Sequence, residues 1–401
     1  MRRRRSPRTT SGSSTSSRSG LTLLAAGIAL TGLNLRIAVA SVPPVVEEIQ
    51  RDLELSATAA GFLTAAPVLC FGLLAPVAPM LARRFGAERV MLLALVPIVV
   101  GVLGRGEGST AALFAGTALA GAGVAIANVI VPAVVKGRFS RSGAITGVYV
   151  AMLTSGAALA AGLTVPLDRR FGWEGALALW ALPAAVAAAV VAPGVFRAGA
   201  SGTARVEGGG ASRLLRDPLA WQVTAYMGLQ SLMFYAALAW LPSILREEGY
   251  DAASAGTLLA VFALGGAPAS LAVPVLAARM RDQRALAVAV TALEAVAIAG
   301  LLIAPGAAIV WVSLFALGQG GALGIALTLM VLRAPDARRA GQLSGMAQAV
   351  GYCVAAIGPW LLGVLHDSTG DWDDVLVALL CVSAPLAAAG LAAGRARTIA
   401  C

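Results

Sequence analysis

Two charged residues, Arg36 and Glu294, lie in the middle of long apolar runs. If these runs cross a membrane, a charge at their centre costs at least about 2.5–3.5 kcal/mol on insertion scales, and such residues are usually functional. The planar guanidinium of Arg36 carries five N–H donors that suit a small anion or a nitro group. The alternative is a structural arginine paired with backbone carbonyls or a distant acid. Arg36 is therefore a candidate anion-binding residue.

Glu294 offers a different chemistry, that of a proton carrier. A buried carboxyl group can exchange its proton in the working pH range, which makes Glu294 a candidate for proton coupling. The alternative is a neutral, hydrogen-bonded glutamic acid in a seam between helices. Asp168, near the end of an apolar run, is a second coupling candidate, with an ordinary acid at the membrane surface as its alternative.

Neutral polar and aromatic side chains recur in several apolar runs, where they offer donors and acceptors to a small polar solute. Each one alone is also explained by a hydrogen bond between helices, worth about 0.6 kcal/mol. As a set they favour a small polar substrate. With Arg36, the predicted substrate-binding residues are Asn34, Asn128, Tyr149, Gln230, Tyr235, Trp240, Gln319, Gln348 and Tyr352.

Several kinds of active site are excluded by the residues that the chain lacks. It has one histidine, His366, and one lysine, Lys136, with no glycine-rich phosphate loop before that lysine. Its 4 cysteines are scattered and form no C-x-x-C pair, whereas metal sites need several ligands at short spacing. We therefore expect no metal, no cofactor and no enzymatic activity.

The elements that must position these residues are membrane-spanning helices. Apolar residues make up 58% of the 401-residue chain and charged residues 12%, whereas soluble proteins carry about 25% charged residues. The apolar runs have the roughly 20 residues that a helix needs to cross a bilayer. Ten or eleven spans with one re-entrant segment are the alternative to twelve. The twelve predicted spans are 21–46, 56–82, 90–104, 110–135, 144–167, 174–196, 219–245, 254–278, 285–304, 307–332, 342–365 and 375–394.

The connections between these spans separate into a basic and an acidic set. One set, which includes residues 1–20 and 395–401, holds 24 basic and 5 acidic residues, and the other holds 5 basic and 14 acidic residues. Basic connections remain in the cytoplasm, so the pattern places both termini there, in a plasma or inner membrane. The net charge of +10 therefore reflects topology, and no nucleic-acid partner is expected. The tail over 1–20 either contacts anionic lipid headgroups or serves only as a topology signal.

The chain also contains an internal duplication. Gly61 and Arg84 recur 195 residues later as Gly256 and Arg279, and further pairs repeat in the same order. We predict an all-α membrane protein with twelve transmembrane helices in two parallel six-helix pseudo-repeats. Such an architecture places its substrate site at the midplane between the halves. The predicted parts are a disordered basic tail over 1–20, an N-terminal half over 21–196, a cytoplasmic linker over 197–216, a C-terminal half over 217–394 and a cytoplasmic tail over 395–401.

Short motifs along the chain resemble those of one transporter family. They include LNLR over Leu33–Arg36, PVLCFGLLAP over Pro67–Pro76, GLQSLMFY over Gly228–Tyr235 and SGMAQ over Ser344–Gln348. The chain resembles the major facilitator superfamily, and within it the branch of cyanate and 2-nitroimidazole transporters, from residue 21 to about 390. Where the superfamily's loop between the second and third spans has an acidic residue, this chain has Arg83. In members of that superfamily the acidic residue helps to hold the cytoplasmic side closed, and its contact is therefore missing at this position.

These features together predict a secondary transporter that works by alternating access. Import of a small anion, such as cyanate or a small carboxylate, competes with export of a nitroaromatic or other drug-like solute, and Arg36 favours the anion. A membrane enzyme or receptor without a transport cycle is the alternative from another class. The expected partners are a small-molecule substrate, a coupling proton or counter-ion, and membrane lipids, with a monomer as the functional unit. The candidates for gating or close packing are Gly143, Gly147, Gly341, Gly345, Arg83 and Arg84.

Overall fold

The computed structural model describes residues 13–139, 142–197 and 214–399. Within these ranges the regular elements are all helices, as predicted. The first half contains α1 (Ser13–Ala40), α2 (Val46–Leu53), α3 (Ala57–Leu74), α4 (Val77–Phe85), α5 (Ala87–Gly104), α6 (Thr110–Arg138), α7 (Ser142–Leu179) and α8 (Ala181–Arg197). The second half contains α9 (Pro218–Glu247), α10 (Ala252–Gly265), α11 (Ala267–Arg279), α12 (Arg284–Ile303), α13 (Ala308–Leu332), α14 (Ala337–Thr369) and α15 (Trp372–Ala393).

The number of membrane crossings follows from the lengths of these helices. In the described chain, 11 segments are long and apolar enough to cross a membrane. The longest, Ile145–Pro193, has 49 residues and as one helix would measure roughly 70 Å, against a hydrocarbon core of about 30 Å. It is broken at Gly172, whose φ of 71° and ψ of 165° are not helical. The segment therefore crosses twice, and the predicted twelve spans are confirmed.

The duplication is visible in the way two of the spans are built. The second span consists of α3 followed by α4, and the eighth consists of α10 followed by α11. Pro76 stands immediately before α4, and Pro268 lies in the first turn of α11. Because proline lacks an N–H group and its ring clashes with the preceding turn, it ends one helix and starts the next. Equivalent spans of the two halves therefore have the same break.

The halves meet along two pairs of helices. The second span packs along the eleventh, α3 against α14, and the fifth span packs along the eighth, α7 against α10. The second and eighth spans are copies of each other, as are the fifth and eleventh, so the two contacts are themselves copies. The interface between the halves therefore has the approximate twofold symmetry that a parallel duplication predicts.

The two ends of the helix bundle differ in charge. We call the end with Glu47, Asp251 and Asp367 the acidic end, and the end with Arg138 and Arg338 the basic end. At the acidic end Asp251 caps α10: the Ser254 hydroxyl donates to one of its carboxylate oxygens at 2.8 Å, and backbone N–H groups donate to the other. These hydrogen bonds, that of Ser254 first, lower the pKa of Asp251.

At the basic end a repeated arginine contact ties each half together. Arg138, at the end of α6, pairs with Glu88 at the start of α5. In the second half Arg333, just after α13, pairs with Gln283 just before α12. Both members of the second pair lie 195 residues after those of the first. Arg333 also donates to the backbone carbonyls of Ala393 and Gly394, so it holds the last span as well.

The ends of the chain differ in part from the prediction. The disordered tail was predicted over 1–20, but α1 begins inside it at Ser13, because a helix that has nucleated in an apolar run extends at little cost. Residues 1–12 and most of the linker predicted over 197–216 lie outside the described residues. In the C-terminal segment predicted over 395–401, the N–H of Ile399 donates to the carbonyl of Arg333 and its side chain is buried. Ile399 is therefore packed against the bundle, whereas residues 395–398 are exposed.

Candidate functional site

Arg36 connects the two halves of the protein about halfway along the bundle. It lies on α1 of the first half, and its guanidinium donates a hydrogen bond of 3.2 Å to the hydroxyl of Tyr235 on α9 of the second half. The side chain is half-buried, whereas Tyr235 is buried. The two predicted residues are thus brought together across the central interface.

Aromatic rings surround this contact. The guanidinium carbon of Arg36 lies 5.4 Å from the ring centre of Phe234 and 5.8 Å from that of Tyr235. Phe71 of α3 and Tyr352 of α14 make edge-on contacts with each other at 5.6 Å and with Tyr235 at 6.3 Å. We call Phe71, Phe234, Tyr235 and Tyr352 the aromatic cluster. Phe71 and Phe234 were missed as site residues because a phenylalanine in an apolar run is indistinguishable from ordinary core packing.

Arg36 has no acidic partner among the residues that the structure describes. The groups that interact electrostatically with it are the hydroxyls of Tyr149, Tyr235 and Tyr352. Among the described residues, Arg36 forms no salt bridge with an Asp or Glu side chain. A cation over an aromatic face gains about 0.5–2 kcal/mol, which is less than a full counter-charge supplies at this depth. The site therefore retains an electrostatic preference for an anion.

A polar pair of the first half lies beside Arg36. The hydroxyl of Tyr149 on α7 donates to Oδ1 of Asn128 on α6 at 3.1 Å. The Tyr149 ring lies against Gly32, one turn before Arg36 on α1. Of the predicted substrate-binding set, Arg36, Tyr149, Tyr235, Tyr352 and Asn128 therefore form one connected group.

The amide side chains of the predicted set have other environments. Gln230 is buried and donates to the carbonyl of Met227 and the hydroxyl of Ser231. Gln348 donates at 2.8 Å to Ser344, one turn earlier on α14.

The two remaining amides keep unused polar atoms. Asn34 donates to Leu30 within its own helix, and its Oδ1 has no partner among the described residues. The amide group of Gln319 is buried and both of its polar atoms are without such a partner. These free atoms are donors and acceptors that a solute or water is able to use.

Trp240 lies nearer to the acidic end than the Arg36 group. It is buried, its indole N–H donates at 2.8 Å to the carbonyl of Pro359 on α14, and its ring lies 4.9 Å from that of Trp372. It also faces Gly61 of α3 and Gly363 of α14. In this structure Trp240 fills the junction of three helices instead of lining the space around Arg36.

The two candidates for proton coupling lie away from Arg36. Glu294 of α12 is fully buried against Gly318 of α13, and neither carboxyl oxygen has a partner among the described residues. The hydroxyl of Tyr226 interacts electrostatically with it and is likewise without a described partner. Asp168 lies at the acidic end of α7, near the carboxyl groups of Glu48 and Asp52.

Polar contacts join the two halves at the acidic end. Arg246 of α9 pairs with Glu47 at 2.9 Å and with Glu48 at 2.8 Å. The carboxylate of Asp367 on α14 accepts hydrogen bonds of 2.9 and 2.7 Å from the N–H groups of Ala57 and Thr58, at the start of α3. An open cavity of about 560 Å³ lies beyond these contacts, with Arg246 in its lining. In the sequence these acids only contributed to a charge count, so their partners were not predicted.

The gating candidates at the basic end have open surroundings. A Cβ atom added at Gly147, Gly341 or Gly345 would meet nothing within 4 Å. Gly143 lies in the first turn of α7. Arg83 and Arg84 are exposed at the end of α4. In this conformation Gly147, Gly341 and Gly345 are therefore free of contacts between the halves.

Comparison with known proteins assigns this arrangement to a family. The sequence model of the Major Facilitator Superfamily matches residues 24–359. The chain is 40% identical to the uncharacterized transporter YycB of Bacillus subtilis, over 94% of both chains. It is 38% identical to the 2-nitroimidazole transporter of Escherichia coli, over 94% of this chain and 96% of that one, and 32% identical to the cyanate transport protein CynX of the same organism, over 86% and 90%. The crystal structure of a D-xylose-proton symporter shares the fold, with a TM-score of 0.77 at 13% identity over 92% of this chain and 96% of that one.

Proposed function

The chain belongs to the major facilitator superfamily and is a multi-pass membrane transporter, and from this premise we propose that it moves a small anion by alternating access, with Arg36 as the anion-binding residue. The observation that carries the proposal is a midmembrane arginine with a hydroxyl and aromatic rings around it and no described acid paired with it. An entering anion supplies the missing counter-charge, and the guanidinium is able to bind a carboxylate with two parallel hydrogen bonds.

The described conformation supports the alternating-access part of the proposal. Polar contacts join the halves at the acidic end through Arg246 and Asp367, whereas Gly147 and Gly345 at the basic end are free of neighbours. Basic connections remain in the cytoplasm. We therefore assign this conformation as closed to the outside and open to the cytoplasm, in a plasma or inner membrane with both termini cytoplasmic. In the state that is open to the outside and closed to the cytoplasm, Gly147 and Gly345 allow the fifth and eleventh spans to approach neighbouring helices closely.

The second candidate function is export of a neutral nitroaromatic compound. The aromatic cluster favours it, since planar rings pack on aromatic faces, and the 2-nitroimidazole transporter is a relative over almost the whole chain. The charge of Arg36 favours an anion over a neutral ring. The two functions are therefore separated by the charge of the solute.

A flux assay with purified protein in liposomes tests both functions. Radiolabelled cyanate, acetate and 2-nitroimidazole are offered separately, with protein-free liposomes and the Arg36→Gln variant as controls. Uptake of cyanate or acetate by the wild type, lost in the variant, supports the anion. Uptake of 2-nitroimidazole that persists in the variant supports the neutral solute and removes Arg36 as the binding residue.

A further inference from the structure

The aromatic cluster is larger than the binding of a small inorganic anion requires. Its rings come from α3, α9 and α14, and adjacent rings meet edge-on with centres 5.1–6.3 Å apart. Tyr235 and Phe71 are buried, whereas Phe234 and Tyr352 are only half-buried. The cluster thus presents two partly exposed rings beside a cationic group.

Arg36 keeps unused donors next to these rings. Its guanidinium has five N–H donors, and the described hydrogen bonds use one of them, on Tyr235. Because the side chain is half-buried, the other donors are within reach of a ligand. A carboxylate bound there in bidentate fashion would lie near Phe234, whose ring centre is 5.4 Å from the guanidinium carbon.

The guanidinium and the aromatic rings of the site match the carboxylate and the ring of an aromatic carboxylate. Conjugation holds a ring and its attached carboxylate close to one plane, so a ring follows directly behind a carboxylate that binds the guanidinium. Aromatic rings pack at centre distances of about 4.5–7 Å, offset or edge to face, which is the spacing inside the cluster. Cyanate satisfies the charge but is too short to contact the rings as well, and a saturated ring lacks the quadrupole that favours aromatic pairing.

We propose that this site selects planar aromatic carboxylates over aliphatic carboxylates and small inorganic anions, with Phe234 and Tyr352 as the residues that determine specificity. The proposal rests on the proposed function, since it requires Arg36 to bind the carboxylate. It adds that the rings recognise the remainder of the substrate.

Calorimetric titration of the purified protein measures the selectivity directly. The ligands are benzoate, cyclohexanecarboxylate with the same charge and a saturated ring, benzamide with the same ring and no charge, acetate and cyanate. We expect benzoate to bind about ten-fold more tightly than cyclohexanecarboxylate, because two aromatic contacts together supply this difference in affinity. Benzamide should bind more weakly than benzoate, because it lacks the charge. Tyr352→Leu should reduce the preference for benzoate over cyclohexanecarboxylate at least about three-fold.

Two further variants show whether the ring itself matters. Tyr352→Phe keeps the ring and should keep the preference. Phe62→Leu removes an exposed ring of α3 that pairs with Phe114 outside the cluster, and should also leave it unchanged. If Tyr352→Leu does not fold, Phe234→Leu takes its place with the same expectation.

The failure of this proposal is distinguishable from the failure of the proposed function. Equal affinity for benzoate and cyclohexanecarboxylate, or binding of acetate and cyanate without benzoate, with all binding lost in Arg36→Gln, overturns the aromatic selectivity and leaves the anion site in place. Anion binding that is unchanged in Arg36→Gln, or absent from the wild type, overturns both.

Discussion

Gly61 on α3 packs directly on the backbone carbonyl of Pro359 on α14, and Gly256 repeats this contact on the carbonyl of Ala161. Gly256 follows Gly61 by 195 residues, and Pro359 follows Ala161 by 198. A Cβ atom at Gly61 would overlap the Pro359 oxygen, and one at Gly256 would lie 2.8 Å from the Ala161 oxygen. The two halves are therefore joined by a duplicated contact that only glycine permits at this distance.

Substitution of Gly61 by alanine should destabilise the protein. The added methyl group meets backbone, which moves only if a whole helix shifts, and overpacking of this kind costs typically about 1–3 kcal/mol. We expect a lower Tm in detergent and slower transport. Gly137→Ala is the matched control, because a Cβ atom there meets nothing within 4 Å. If both variants unfold at the same temperature, the helices separate without cost and the contact does not hold the halves together.

Substitution of Arg246 by glutamine should open the acidic end more often. The variant loses the ion pairs with Glu47 and Glu48, which at a partly exposed site contribute about 1 kcal/mol, or a roughly five-fold change in population. The readout is the rate at which a membrane-impermeant thiol reagent labels a Ser243→Cys residue, since Ser243 is buried in this conformation. All variants are made in a protein whose native cysteines have been replaced. Arg51→Gln, an exposed charge at the same end, is the control, and labelling as slow as in this control would rule out a gating role for Arg246.

The sequence predicted the spans and the central charge, but not the groups that surround that charge. Arg36 was singled out because a charge deep in an apolar run is costly to insert into a membrane and is usually functional. Phe71 contacts Tyr352 only because α3 and α14 meet, and the pairing of distant helices leaves no signal in one sequence. Trp173 and Trp372 lie near the ends of spans, where tryptophan often anchors a protein at the membrane surface, but their side chains are only 2% and 9% exposed. Position near the end of a span does not reveal which way a side chain points.

Substitution of Glu294 by glutamine separates a packing role from proton coupling. Glutamine has the same shape as the glutamic acid but cannot exchange a proton. The full burial of Glu294, away from Arg36, favours packing, so we expect normal transport and a change in unfolding free energy below about 1 kcal/mol. The assay is solute accumulation driven by an imposed pH gradient in liposomes, with Asp168→Asn measured in parallel. Loss of accumulation in Glu294→Gln, with exchange of solute retained, would assign the coupling proton to Glu294.

The proposed orientation of the protein in the membrane predicts which sites reagents reach from outside. Cysteines introduced at Glu248 and Asp371 should react with an impermeant thiol reagent on intact cells, whereas those at Arg138 and Arg338 should react only after the cells are opened. The reason is the 24-to-5 distribution of basic residues between the two sides. All four positions are exposed, so unequal burial does not explain a difference. External labelling at Arg138 would reverse the assigned orientation.

Substitution of Arg36 by glutamine should abolish most anion binding while the protein still inserts and folds. The change removes a charge-assisted contact at a partly desolvated site, which costs on the order of 2–5 kcal/mol, and removal of a midmembrane charge lowers the cost of insertion. Arg36→Lys should restore only part of the affinity, because an ammonium group lacks the bidentate fork and does not reproduce the geometry of the bond to Tyr235. Arg84→Gln, at an exposed arginine of the basic end, controls for the loss of positive charge and should bind normally. The measurements are anion affinity by calorimetry and Tm in detergent. If Arg36→Gln binds and moves the anion as the wild type does, Arg36 has a structural role, and the substrate must be recognised by the neutral polar groups and the aromatic cluster.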